Sequence, residues 1–357
     1  MSDLIPVPMS LVSLQMQEPT CLPLRFQPGW HNVWEASLFK KANRVTGTHE
    51  WLFSRFGGDN APSPRKTHLR DCTEAFTRTC EQALTLPLAQ KRLRLRGAKN
   101  AMIFFDSWGE SSCFEGIDNW RDTMFLDILP KKIALEYKLQ AFSGKLRGER
   151  TGFLQALEMA QDCLQSGVAD NVVVCGQHRH FPVLAFSEAA GWPKGQKRYQ
   201  SDINVVHAVE RNVCLLLTRQ LPLLPALCLS PRLALPLKEK AAAAAVSGHW
   251  QAANSLQIFS CAPPAPALLA INRRAAAHFP AHLSLYTHFG DSGSLNPALG
   301  IYHWYNAGAP QGSALVSSLQ QGHYLWLLHC QPGTAKTQEK TGVDRKDNSL
   351  REEINLL

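Results

Sequence analysis

The sequence predicts an α/β chain of stacked sheets and helices. Three observations carry that expectation. Short apolar or β-branched runs of strand length alternate with segments of helical period, one helical segment is apolar almost all round, and the alternation comes twice.

Residues 1–45 read as an irregular lead-in. "CTEAFTRTCEQAL" (72–84) has helical spacing, and "NAMIFF" (100–105) is a strand-length apolar run. In 125–140 a helix is expected from Pro130, where proline suits a first turn. Residues 152–164 place Phe153, Ala156, Leu157, Ala160 and Cys163 on one stripe, with Leu154 and Met159 widening it, which predicts a deeply buried helix. "NVVVCG" (171–176) and "NVCLLLT" (212–218) are strands rich in branched residues. The second round follows: helix 237–246, strand 256–261, helix 265–279, strand "HLSLYTHF" (282–289), helix 295–305 and a last strand "YLWLLHC" (324–330). From Gln331 the chain turns polar and charged and reads as a disordered tail.

At 357 residues and 45% hydrophobic, the chain can bury a large core. Ten cysteines lack CxxC pairs, so no zinc site or disulfide framework is indicated. "MSDLIPVPMS" has neither the charged nor the apolar region of a signal peptide, no run is long enough to span a membrane, and a reducing cytoplasmic setting is expected. The net charge of +8 suits an acidic partner. The densest basic run, "QKRLRLRGAK" (90–99), has no interleaved aromatics and reads as a solvated connection, and no nucleic-acid-binding module is visible.

Three stretches together resemble the thiolase superfamily, and within it ketoacyl-ACP synthase III. "THEWLFSRFG" (48–57) is similar to the family's S-D-E-W-I-x-x-R-T-G element, with Trp51 and Arg55 on its tryptophan and arginine. "ERTGFLQALEMAQDCLQSGVADNVVVCG" (149–176) resembles the A-C-S-G-F nucleophile turn with its buried helix and following strand. "HFGDSGSLNPALG" (288–300) is similar to the glycine turn G-N-T-S-A-A-S-x-P. The likeness covers about 45–330 and implies a five-layered αβαβα thiolase fold of two similar halves, 1–220 and 221–330, with the tail at 331–357. It also implies acyl thioesters of coenzyme A or phosphopantetheine as ligands, with Trp51 stacking on a purine and Arg55 meeting phosphate.

Condensation in that family uses a cysteine thiolate at a helix N-terminus, assisted by a histidine and an asparagine. Residue by residue, the resemblance sets Arg150 on the cysteine, Pro264 on the histidine of P-H-Q-A-N and Asp291 on the asparagine of G-N-T-S. A guanidinium is no nucleophile, a proline side chain offers no hydrogen bond, and a carboxylate repels an enolate. Arg150 is expected to pair with Glu149 or to turn outward toward a partner, and Thr151 to be the N-cap. The G-D-G-A-G turn is replaced by "AVERN" (208–212).

The resemblance therefore implies a catalytically degenerate subunit, paired with an active ketosynthase as a heterodimer or with itself, and receiving acyl carrier protein. Two other functions stay open: an acyltransferase or thioester hydrolase using Cys113, Thr151 or Asp291, or a stand-alone acyl-coenzyme A-binding protein. Cys175, His178 and His180 in "CGQHRHF" suggest a metal site or a substitute dyad, but lack a fourth ligand nearby and read as loop or interface histidines.

Overall fold

In a computed structural model the chain is described over residues 7–26, 33–48, 50–57, 69–107, 131–148, 150–192, 205–307 and 312–333. Its N-terminal half supplies strands β1 (Met9–Gln17), β4 (Asn100–Asp106), β5 (Phe142–Arg147), β6 (Asn171–His178) and β8 (Arg211–Arg219). They lie in the order β5-β4-β6-β8-β1, the first two pairings parallel and the last two antiparallel. The C-terminal half repeats the plan. Its strands β9 (Ala226–Leu229), β11 (Gln257–Cys261), β12 (His282–Ser284), β13 (Ala314–Gln320) and β14 (Tyr324–Gln331) lie in the order β12-β11-β13-β14-β9, with the same directions. The two sets meet edge to edge where Met9 and Ser10 pair with Leu227 and Ala226, and β10 (Leu233–Ala234) pairs with β14. A separate three-stranded sheet holds β2 (Leu24–Arg25), β3 (Glu50–Ser54) and β7 (Val205–Val209).

Alternating side chains of the central strands face two different apolar layers, which makes five layers in all. On the outer N-terminal side, Met102, Phe104, Val173 and Leu216 pack against α2 (Leu69–Leu84), α3 (Pro87–Leu93) and α4 (Lys131–Glu136). Between the sheets lies the helix that begins just after β5, α5 (Gly152–Gln165), and its counterpart after β12, α10 (Asn296–Asn306). All five expected stripe residues of α5 are buried there, with Phe153 against Phe105 at 5.6 Å between ring centroids. On the outer C-terminal side, Leu315, Leu319 and Leu325 meet α7 (Glu239–Ala253) and α8 (Pro266–Ala276). The same layer continues onto the small sheet, α1 (Val33–Thr46) and α6 (Pro182–Ala190). Each apolar side chain buried this way stabilises by about 1.5–3 kcal/mol.

Two expectations change, and one strand lies where none was expected. The lead-in 1–45 is structured: it holds β1, which joins the two halves, as well as β2 and α1. Strand β1 is buried on both faces and its register shifts between Leu11 and Ser13, so clean alternation is lost from the sequence. "HLSLYTHF" is a strand only over its first three residues and then turns into the short helix α9 (Leu285–Phe289). Strand β13, "ALVSSLQ", is fully buried although its middle is polar, because Ser317 accepts the Trp250 indole N–H at 2.8 Å and Ser318 accepts from Gln320 at 2.7 Å. Cys113, Glu149, Pro130 and the tail from 334 onward lie outside the described residues.

Candidate functional site

The turn from β5 into α5 delivers Arg150 to a place where two other elements converge. Helix α6 supplies Glu188, its sole charged residue. The turn before α10 supplies Asp291, and that turn needs glycine: Gly290 has φ 77°, and a Cβ there would stand 2.8 Å from both the His207 carbonyl oxygen and Val209 Cγ2. Arg211 Nη1 bonds Ser292 Oγ and its Nη2 donates to the Phe289 carbonyl at 2.7 Å, clamping the same turn from β8.

Arg150 Nε and Nη2 donate to the two oxygens of Glu188 at 2.7 and 2.8 Å, and Nη1 reaches both oxygens of Asp291 at 2.6 and 2.8 Å. The side chains are 14%, 17% and 4% exposed for Arg150, Glu188 and Asp291. Asp291 Oδ1 also accepts from Gly293 N at 3.0 Å and Asn296 Nδ2 at 3.1 Å. Burial opposes the charge on Arg150, but Asp291 and Glu188 outweigh it and its pKa is raised. Burial likewise opposes the Asp291 carboxylate, and Arg150 outweighs it, holding its pKa well below the usual range. Neither group can exchange a proton near neutral pH. Such a carboxylate is a poor base, and such a guanidinium is a fixed cation.

Behind Asp291 lie two buried histidines. His180 Nε2 donates to the Asp291 carbonyl at 2.8 Å and stands 3.0 Å from His178 Nε2. Since a carbonyl only accepts, His180 carries its proton on Nε2 and His178 presents a bare Nε2 to it. Burial pushes both pKa values down, so both rings are neutral at pH 7. In front of Arg150 a cleft of about 430 Å³ is lined by Thr151, Leu184, Ser187, Gln320 and Gln321, with no described cysteine or histidine.

Of the residues singled out in the sequence, Arg150 and Asp291 are brought together by hydrogen bonds. Pro264 is buried in the connection between β11 and α8 and is not among the described residues that line the cleft before Arg150. Arg150 turns inward, not outward. Thr151 is the N-cap residue of α5, but its hydroxyl makes no capping hydrogen bond.

Trp51 and Arg55 differ most from expectation. Trp51 is 2% exposed, its Nε1 donates to Asn43 Oδ1 at 2.8 Å, and its ring meets Phe186 edge-on at 4.9 Å. Arg55 is 3% exposed and pairs with Glu210 at 3.1 Å. Trp51 packs in the core with no exposed face to stack on a purine, while Arg55 is held by Glu210 at the edge of a small cleft lined by Glu18, Asp71 and Arg78. His178 and His180 are interior residues at the end of β6, and no group of described residues could hold a metal ion. Glu188 went unnoticed in the sequence. A lone acid in the apolar helix "PVLAFSEAA" was the available signal.

No family model matches the sequence, and no curated protein does. Solved structures do match. A variant of OleA from Xanthomonas campestris superposes with a TM-score of 0.53 at 11% identity, covering 91% of this chain and 98% of that one. The chain has the thiolase fold. A second OleA variant gives 0.53 at 10% identity over 93% and 99%, and one bound with cerulenin gives 0.54 at 10% over 92% and 98%. At 10–11% identity this likeness speaks for the fold alone. Within that fold, Arg150 stands at the start of the helix buried between the two sheets.

Proposed function

We propose that this chain is a ketosynthase-like subunit that has given up condensation and pairs with an active ketosynthase, receiving acyl carrier protein on the pair's behalf. One observation carries the reading: at the helix N-terminus where the resemblance expects a thiolate, Arg150 is tied to Asp291 at 2.6 Å and to Glu188 at 2.7 Å. The two residues on the cysteine and asparagine positions neutralise each other, and the helix terminus that would stabilise a thiolate faces a guanidinium instead. A net charge of +8 favours encounter with an acidic carrier protein. Coenzyme A or phosphopantetheine thioester is the ligand class of the assembled pair, reached by other residues than Trp51 and Arg55.

The test is co-purification of the tagged full chain from its native source, followed by labelling with radioactive acyl-coenzyme A. The reading expects a stoichiometric partner that takes the label on a cysteine while this chain takes none. A chain that purifies alone, or that carries the label itself, refutes it.

A further inference from the structure

Four loops meet at the end of the N-terminal strands away from Arg150: 94–99, 137–141, 166–170 and 219–225. They lead into β4, β5 and β6 and out of β8, where register sets Asn100 beside Asn171 and Asn171 beside Thr218. Met9, two residues after Val7, pairs with Arg219 at the same level.

Hydrogen bonds hold this end together. Asn100 Nδ2 donates to the Leu93 carbonyl at 2.7 Å and to that of Tyr137 at 3.3 Å, and Asn171 Nδ2 donates to the Arg92 carbonyl at 3.3 Å. Lys99 N donates to Asp170 Oδ2 at 2.9 Å, and its Nζ to the Gly167 carbonyl at 3.4 Å. Leu221 N donates to Ser10 Oγ at 2.7 Å. The loops are thus fixed, and the side chains they carry outward are held there.

Those side chains are of two kinds. Arg94, Arg96, Lys99, Lys138 and Arg219 are all exposed, against a single acid in the same loops, Asp170. Arg219 Nη2 lies 3.4 Å from Asp170 and answers that charge, which leaves the end strongly positive. Glu136 and Asp162 are exposed acids in the last turns of α4 and α5 behind it. Beside the cations stand Val7, Leu95, Val168 and Leu223, each between 42% and 47% exposed and each on a separate segment. Their apolar surface is left in water, where burial against a partner would be favourable.

This combination discriminates between anionic partners. A nucleic acid calls for aromatic platforms, and Tyr137, the aromatic of these loops, is buried. A protein interface gathers aromatic and methionine anchors into one packed core, whereas these aliphatic tips are small and sit on separate segments. Basic groups that meet headgroup phosphates, with short aliphatic tips among them, suit the interface of an anionic bilayer.

We propose that this end of the chain docks on an anionic lipid bilayer, with Arg94, Arg96, Lys99 and Arg219 meeting headgroup phosphates and Leu95 and Val168 entering the interface. Strand β5 runs from this end toward Arg150, so about 20 Å of strand separates the bilayer from the Arg150–Asp291 pair. The cleft before Arg150 therefore stays open to other partners. The inference does not rest on the pairing with a ketosynthase proposed above.

Flotation of the full chain with vesicles tests it, using phosphatidylcholine alone and with about one-third phosphatidylglycerol. Binding is expected to the anionic vesicles only, and it should weaken as sodium chloride is raised. Arg94→Gln with Arg96→Gln should bind about tenfold more weakly. Leu95→Ser with Val168→Ser should bind about threefold more weakly. All four residues are exposed, so the variants should fold as the wild type does. Lys238→Gln with Lys240→Gln removes the same charge beside the β13–β14 turn, at the other end, and should bind as the wild type. Equal binding to both vesicles, or to neither, overturns the proposal. So does anionic-vesicle binding that either test variant leaves intact, or that the control variant lowers as much as Arg94→Gln with Arg96→Gln. A chain that ignores vesicles but is retained on polyglutamate or heparin uses this surface for an acidic protein or a nucleic acid, which also overturns it. Labelling of a partner's cysteine is untouched by any of these results, so the two readings fail separately.

Discussion

Replacing Arg150 by methionine keeps most of the side chain's length and removes four charge-assisted hydrogen bonds, those to Glu188 at 2.7 and 2.8 Å and to Asp291 at 2.6 and 2.8 Å. Glu188 and Asp291 are then left as neighbouring carboxylates with little access to water. Breaking a buried pair by deleting one partner costs about 3–5 kcal/mol, most of it the penalty of the stranded charge. Asp291 keeps the Gly293 N–H and the Asn296 amide, so the loss should stay within that range. With an unfolding entropy of about 2.1 cal/mol/K per residue, the expected fall in Tm is about 4–7 °C. Differential scanning fluorimetry and urea denaturation followed by tryptophan emission measure it. Adding Asp291→Asn should recover a large part of the loss, because the stranded carboxylate is gone while its carbonyl oxygen can still accept from Gly293 and Asn296. In the wild type the folded pKa of Asp291 lies below the unfolded value of about 3.9, so its contribution is complete above that value and fades as pH falls through the folded pKa. In Arg150→Met the stranded carboxylate takes up a proton more readily in the folded chain than in the unfolded one, so the gap from wild type should narrow as the pH falls through the carboxylate range and go on narrowing below about pH 4. A Tm within about 1 °C of wild type, or a double variant whose losses simply add, would refute this account of the site.

Gly290→Ala places a Cβ at φ 77° and 2.8 Å from the His207 carbonyl, and should destabilise by about 1–3 kcal/mol; unchanged thermal stability would mean the turn relaxes freely. Trp51→Ala should cost about 3–5 kcal/mol as a buried aromatic truncation, measured by denaturation, whereas unchanged stability with altered ligand affinity would restore it as a binding residue. His178 and His180 have folded pKa values pushed below the unfolded value of about 6.5, so the unfolded chain takes up protons first. Stability should be complete above that pH and fall on acidification with a slope approaching about 2.7 kcal/mol per pH unit, which a His178→Asn variant should flatten. A flat profile between about pH 7 and 5 would contradict neutral buried rings.

The central helix was legible because its wide apolar stripe has few places to go except between two sheets, and Phe153, Ala156, Leu157, Ala160 and Cys163 are buried there. The second glycine turn was legible too, since Gly290 needs a conformation that other residues resist. Strand β1 was not, because burial on both faces and a shifted register erase the period-two signal. The partners of Arg150 lie 38 and 141 residues away, and nothing local to residue 150 encodes them. Trp51 and Arg55 matched a motif by position, yet position says nothing of which way a side chain faces. Here a strand of the small sheet turns the indole toward Phe186, and Arg55 is tied to Glu210.

The most direct measurement of the central claim is the intact mass of the purified chain after incubation with acetyl- and longer acyl-coenzyme A. The account predicts an unchanged mass, because the helix terminus that would hold a thiolate holds Arg150 bound to two carboxylates. A stoichiometric acyl adduct, mapped to Cys113, Thr151 or any other side chain, would contradict it and make this chain an enzyme in its own right.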